Sequence, residues 1–299
     1  MLADTFAIIA PIIVCAAIGY GWGRSGLHYD AEFVTRMVMN IGMPCLVLAS
    51  MNKVDPDPAT LGRIVLVSLF ILIAMLIVSY PLLKLFRHPV PVYLPPLLFP
   101  NNAFMGFPLC FFAFGDEGLA LAIGFYLVTL VVNFSFGIML VSQTSAGMLA
   151  RLKELAGQPV LWAAAVAVPM AIFDWHLPAW LANSTELLGS MSVPLMLVTL
   201  GISLASLQTG GWRRNAWYGL LRVIGGFVIG LTAVYLFNLT GTLRGVTLIQ
   251  AAMPTAIFNY LLALKYQREP SEVASLIVIS TLLAFILSPA LIAFALPPQ

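Results

Sequence analysis

Charge is scarce in this chain. Of its 299 residues only 9% are Asp, Glu, Lys or Arg, and three each are Cys and His, whereas soluble domains carry about 25% charged residues. So little charge excludes an ordinary water-soluble domain, which needs polar side chains over much of its surface. Cys15, Cys45 and Cys110 all lie in apolar runs, which excludes a disulfide framework or metal cluster and reads them as small buried side chains. His28, His88 and His176 stand singly at the edges of apolar runs, without the spacing of a metal site or of a nucleophile with its base. A nucleotide-binding loop is absent, as is a basic patch interleaved with aromatics. An enzyme, an ATP-driven pump and a nucleic-acid partner are therefore set aside, and no cofactor is implied.

What is present is hydrophobic: 61% of residues, with mean hydropathy +0.99. Apolar runs of spanning length recur from end to end, so the chain reads as an all-α, multi-pass membrane protein in the lipid bilayer. Breaks at charged residues and Gly/Pro clusters give ten segments: 6–23, 33–51, 62–84, 92–113, 117–141, 158–173, 183–207, 214–237, 243–265 and 271–296. The first is read as a span, not a signal peptide, because Asp4 precedes its apolar core and no basic residue does. Connections after odd-numbered segments carry Arg24, Arg36, Lys84, Arg87, Arg151, Lys153, Arg213, Arg214, Arg222, Lys265 and Arg268. Those after even-numbered segments carry Lys53, Arg63 and Arg244, so eleven basic residues stand against three. The positive-inside rule then puts both termini on the non-cytoplasmic side.

One stretch conflicts with a continuous helix. Residues 94–109 contain Pro95, Pro96, Pro100, Pro108, Gly106 and the pair Asn101–Asn102 inside an apolar run. Interior prolines forfeit backbone hydrogen bonds and the amides would have to hide from lipid, so a broken helix lining a cavity costs less. The pattern recurs. Phe99–Pro100–Asn101–Asn102–Ala103–Phe104 has a counterpart 154 residues on in Met253–Pro254–Thr255–Ala256–Ile257–Phe258, followed by Asn259. Pro44 in the second segment is likewise matched by Pro194 in the seventh. Five segments per half is an odd number, so the second copy enters from the opposite side, which is the inverted-repeat plan of secondary transporters. The expected halves are 1–150 and 151–299.

These motifs carry a resemblance. Pro11 with Gly19–Tyr20, Asn40 to Pro44, NNAFMGFPL at 101–109, Pro194 with LGISLA at 200–205, and AMPTAIFNY at 252–260 together resemble the auxin efflux carrier family, specifically its bacterial malate or malonate permease-like members. The resemblance implies ten transmembrane helices in two inverted five-helix repeats, the fourth and ninth broken and crossing. It is the fold that looks shared with bile-acid sodium symporters and sodium/proton antiporters. It also implies a homodimer, a moving bundle and an organic-anion substrate. The short 142–157 connection is similar to that of compact prokaryotic members.

Candidate residues follow from the breaks. Asn101 and Asn102 sit where one half-helix ends and another begins; they either cap that start or offer amides to a carboxylate. Thr255 and Asn259 are the second-half counterparts, with bonding to their own turn or to another helix as the alternative. Asn40 and Asn133 are the further substrate-binding candidates, and Pro44, Pro100, Pro194 and Pro254 are the expected helix breaks. No Asp, Glu, Lys or His is placed at mid-span, which argues against a proton antiporter. The expectation is a carrier of small mono- or dicarboxylates working by alternating access, with proton or sodium coupling or uniport all open. The alternatives are a carrier of a neutral or steroid-like metabolite, or a non-transporting sensor or assembly protein.

Overall fold

The structure is a computed structural model that describes residues 2–54, 57–142, 153–173, 175–206 and 211–296. Arg151, used in the charge count, and part of the 142–157 connection lie outside the described residues. Among the described residues the regular structure is helical: α1 Leu2–Arg24, α2 Ala31–Lys53, α3 Pro58–Leu85, α4 Val90–Leu98, α5 Asn102–Val141, α6 Pro159–Phe173, α7 Ala179–Ser206 and α8 Trp212–Leu236, α9 Gly241–Ala251, α10 Phe258–Lys265 and α11 Pro270–Ala295. Seven of them, α1, α2, α3, α5, α7, α8 and α11, are long and apolar enough to cross a membrane by length and composition. The difference from ten segments has local causes. The runs expected at 92–113 and 243–265 are each interrupted, α6 has only 15 residues, and α5 carries two expected segments.

α5 is not straight. Gly115 has φ 64° and ψ −152°, a backbone conformation open to glycine but not to residues with a side chain. The chain reverses there: the rings of Phe107 and Tyr126 meet edge to face at 5.4 Å, whereas 19 residues of uninterrupted helix would separate them by about 28 Å. α1 and α7 also approach closely, for a Cβ at Gly19 would collide with the carbonyl of Val198 and one at Gly201 with that of Ala16. Small residues at such crossings let helix backbones touch where lipid supplies no hydrophobic drive.

The distribution of side chains is that of a protein solvated by hydrocarbon. Phe6, Leu187 and Ile286 are 72%, 74% and 73% exposed, while Asn101, Asn102, Gln250 and Arg222 are at most 3% exposed. Polar groups are inside, and the outer surface is apolar.

Two of the expected breaks are slight, local interruptions of otherwise continuous spans. The chain stays helical through Pro44, because residues Val38–Gly42 just before it form a π-turn. The wider turn removes the clash between a proline ring and the carbonyl four residues earlier, and the proline's missing N–H is no longer needed there. Pro194 lies in the first turn of Ser192–Ser206, where an N–H would have no helical partner anyway, and a single turn residue at Met191 separates it from Ala179–Ser190. These are local adjustments in α2 and α7. Pro100 and Pro254, by contrast, lie in non-helical backbone.

Candidate functional site

The two interruptions meet. Past the end of α4 the chain extends at Phe99, with φ −105° and ψ 98°, and Pro100 forms an antiparallel bridge with Thr255. Asn101 N donates to Pro254 O at 2.7 Å and Ala256 N donates to Phe99 O at 3.2 Å. Proline suits both positions, since neither Pro100 nor Pro254 is asked for an N–H and both of its neighbours' donors are used. Pro100, Pro254 and Thr255 are buried. Four helix ends converge on this crossing: the C-termini of α4 and α9, and the N-termini of α5 and α10.

At the start of α5, Asn101 Oδ1 accepts from Phe104 N at 3.2 Å, the capping role considered above, while its Nδ2 has no partner. Asn102 Nδ2 donates to Gln250 Oε1 and, at 3.4 Å, to Gln250 O; Asn102 Oδ1 is unpartnered. Asn259 Nδ2 is shared between Phe99 O and Ala256 O, each at 3.1 Å, and its Oδ1 is also unpartnered. Thr255 is more fully engaged, since Oγ1 donates to Pro96 O at 2.9 Å and its N–H to Ser280 Oγ at 3.1 Å. Its side chain fastens the two interruptions together and offers no spare donor.

The remaining candidates divide. Asn133 is buried with an unpartnered Oδ1, and through Gly137, which lies against the Phe99 ring, its turn packs on the crossing. Asn40 is exposed on α2 and does not join the buried amides.

Two functional-looking residues escape a reading of the sequence. Gln250, in the last turn of α9, is fully buried and answers Asn102 across the crossing. Arg222 is 1% exposed. Its guanidinium donates from Nε to Met253 O at 3.0 Å, from Nη1 to Leu97 O at 3.2 Å and from Nη2 to Ala251 O at 2.7 Å. It is therefore not a loop residue of the charge count. The one available signal is an arginine nine residues into an apolar run and followed by Gly225 and Gly226.

A membrane protein whose centre is a pair of interrupted helices bonded edge to edge, lined with buried amides, belongs by its architecture with the transporters that bind solutes at broken helices. Comparison with known proteins points the same way: residues 146–292, about half of the chain, match the family described as membrane transport protein. It is 24% identical over 295 residues to an uncharacterized transporter of Methanocaldococcus jannaschii, covering 92% of this chain and 93% of that protein. A second uncharacterized transporter, from Methanothermobacter thermautotrophicus, is 26% identical over 305 residues, or 94% and 95% of the two chains. Auxin efflux carrier component 1 of Arabidopsis thaliana is 29% identical over 117 residues, covering 38% of this chain and 19% of that protein.

Proposed function

We propose that this chain is a secondary transporter that moves small organic anions, mono- or dicarboxylates, across a bacterial inner membrane by alternating access. In this reading the broken pairs α4/α5 and α9/α10 each count as a span and α5 as two arms. Ten spans then form two inverted five-helix repeats, 1–150 and 151–299, with both termini outside. The observation that carries the anion reading is the buried, unpartnered Nδ2 of Asn101 at the N-terminus of α5. Each helix end bears roughly half a charge. The C-termini of α4 and α9, together about −1 by that rule, face the guanidinium of Arg222, while among the described residues no carboxylate is bonded at the N-termini of α5 and α10. About one positive charge at those N-termini, with an amide donor beside it, matches a carboxylate. Asn259, at the start of α10, holds that half-helix against Phe99.

Purified protein in proteoliposomes, given a panel of radiolabelled mono- and dicarboxylates under imposed potential, sodium and pH gradients, tests the reading. Uptake of at least one carboxylate is expected, with Asn101→Ala reducing it roughly ten-fold or more, the loss of one charge-assisted hydrogen bond. If no carboxylate moves or competes, the anion reading fails.

A further inference from the structure

Arg222 carries a buried charge that no carboxylate meets among the described residues. Its three hydrogen-bonded partners are all main-chain carbonyls, and all lie at helix C-termini: Leu97 in the last turn of α4, Ala251 at the end of α9, and Met253 just beyond. The last carbonyls of a helix have no intrahelical partner and together bear about half a negative charge. Two such ends pointing at one place make an oxygen cage with the charge and donor atoms of a monovalent-cation site, the way broken helices elsewhere hold a coupling ion.

The surrounding sequence is built to bring Arg222 there. It sits in the π-turn Leu221–Gly225 of α8. Four residues later, a Cβ at Gly226 would collide with Ala251 O, and one at Gly230 would come within 2.8 Å of the Ala251 side chain. Two glycines at this spacing let α8 lie directly on the end of α9, so the guanidinium reaches carbonyls on both half-helices.

We propose that these three carbonyls form a cation site that Arg222 fills from within the chain. The tethered guanidinium bolts α4 to α9 across the crossing and keeps free sodium out. Removing the side chain leaves a cage that takes a small cation from solution. This does not depend on the identity of the substrate: a protein that moves no carboxylate would sink the anion reading and leave this one intact.

The test is thermal unfolding of the purified protein in detergent, in sodium, potassium and choline chloride at equal ionic strength. Wild type should melt at the same temperature in all three. Arg222→Ala in choline should melt lower by roughly 5–10 °C, the scale of a few lost buried hydrogen bonds. Sodium, or low-millimolar methylguanidinium, should return at least half of that loss. Arg222→Lys, which keeps a charge but not the fork, should fall between and respond weakly to sodium. A wild type stabilised by sodium over choline overturns the proposal, as does an Arg222→Ala protein that recovers with no cation. If Arg222→Ala does not accumulate in the membrane, Arg222→Lys and the wild type decide by the same comparison.

Discussion

Asn102 and Gln250 answer each other from opposite half-helices, and Gln250 Nε2 also lies 3.8 Å from Cys110 Sγ. Both are buried, so removing either side chain takes from the other its side-chain partner where no water replaces it. Asn102→Ala should cost about 1–3 kcal/mol, and the double-mutant cycle with Gln250→Ala should show coupling of about 0.5–3 kcal/mol; additive losses in thermal unfolding would mean the pair does not interact. His88 offers a different kind of test. Its Nδ1 lies 2.5 Å from the hydroxyl of Tyr218, and its ring stands beside Phe86, Tyr93 and Tyr218. Burial first, and the charge of Arg214 second, hold the imidazole below its ordinary range. Arg214 is itself paired with Glu272 at 2.7 Å, which Tyr93 also contacts. A depressed histidine means that the unfolded chain binds the proton more readily than the folded one. Stability is then unaffected above about pH 6.5 and falls as pH drops below it. Melting temperatures measured from pH 8 to pH 5 should show that decline, and His88→Phe should remove this part of it. At this scale the sequence was legible where a proline marked the backbone, as at Asn101 and Asn259. Arg222 was not, because its position along the chain cannot tell an arginine that reaches the membrane surface from one held by carbonyls of two other helices.

Among elements, the four described π-turns share a pattern. Val38–Gly42, Asn102–Gly106, Asn133–Gly137 and Leu221–Gly225 each contain one Asn or Arg and each end in glycine. In two of them a proline follows two residues after that glycine, at Pro44 and Pro108. A π-turn frees a carbonyl from the regular ladder and tends to sit at functional positions, and three of the four here carry a buried Asn102, Asn133 or Arg222. This explains why the prolines misled at Pro44 and informed at Pro100: a proline preceded by a widened turn is absorbed, whereas Pro100 follows backbone that has already left the helix at Phe99. Segment ends were largely legible from hydropathy, and the fold-back of α5 at Gly115 falls in the gap between the expected segments 92–113 and 117–141. The close approach of α1 and α7 was not, since glycines in an apolar run do not name their partner. It can be tested with a built-in contrast. Gly201→Ala places a methyl against the carbonyl of Ala16, while Gly21, on the α1 side, has nothing within 4 Å of its Cβ position. Gly201→Ala should destabilise by about 1–3 kcal/mol, and Gly21→Ala should be neutral or stabilising by up to about 1 kcal/mol through helix propensity. Equal effects in thermal unfolding would contradict the packing.

At the scale of the whole molecule, the inverted-repeat reading and the orientation rest on each other, because a ten-span chain must return to the side on which it began. Placing Arg222 at the crossing removes one residue from the loop count, leaving ten basic residues against three, so the bias keeps its direction. That the described chain holds several helices long and apolar enough to cross a membrane was readable in advance, since hydropathy reports directly on the membrane phase. What could not be read was that the two interruptions bond to each other: the antiparallel exchange between Phe99–Asn101 and Pro254–Ala256 joins residues more than 150 apart, and no local signal encodes it. Orientation is decided by labelling. With Cys15, Cys45 and Cys110 replaced by alanine, single cysteines added at Ser25 in the first connection and at Gln299 at the C-terminus should differ in intact cells: a membrane-impermeant maleimide should modify the second and reach the first only after the membrane is permeabilised. Ser25 follows an odd-numbered segment whose flanking loop carries Arg24, so the positive-inside rule holds it in the cytoplasm, whereas an even number of spans returns the C-terminus to the outside. Labelling of both sites in intact cells would mean an even number of spans between them, against the ten-span reading; labelling of Ser25 alone would keep the odd number and reverse the orientation. Protection of both sites until the membrane is permeabilised would likewise mean an even number of spans between them, place the C-terminus inside and break the inverted symmetry on which the crossing of α4/α5 with α9/α10 depends.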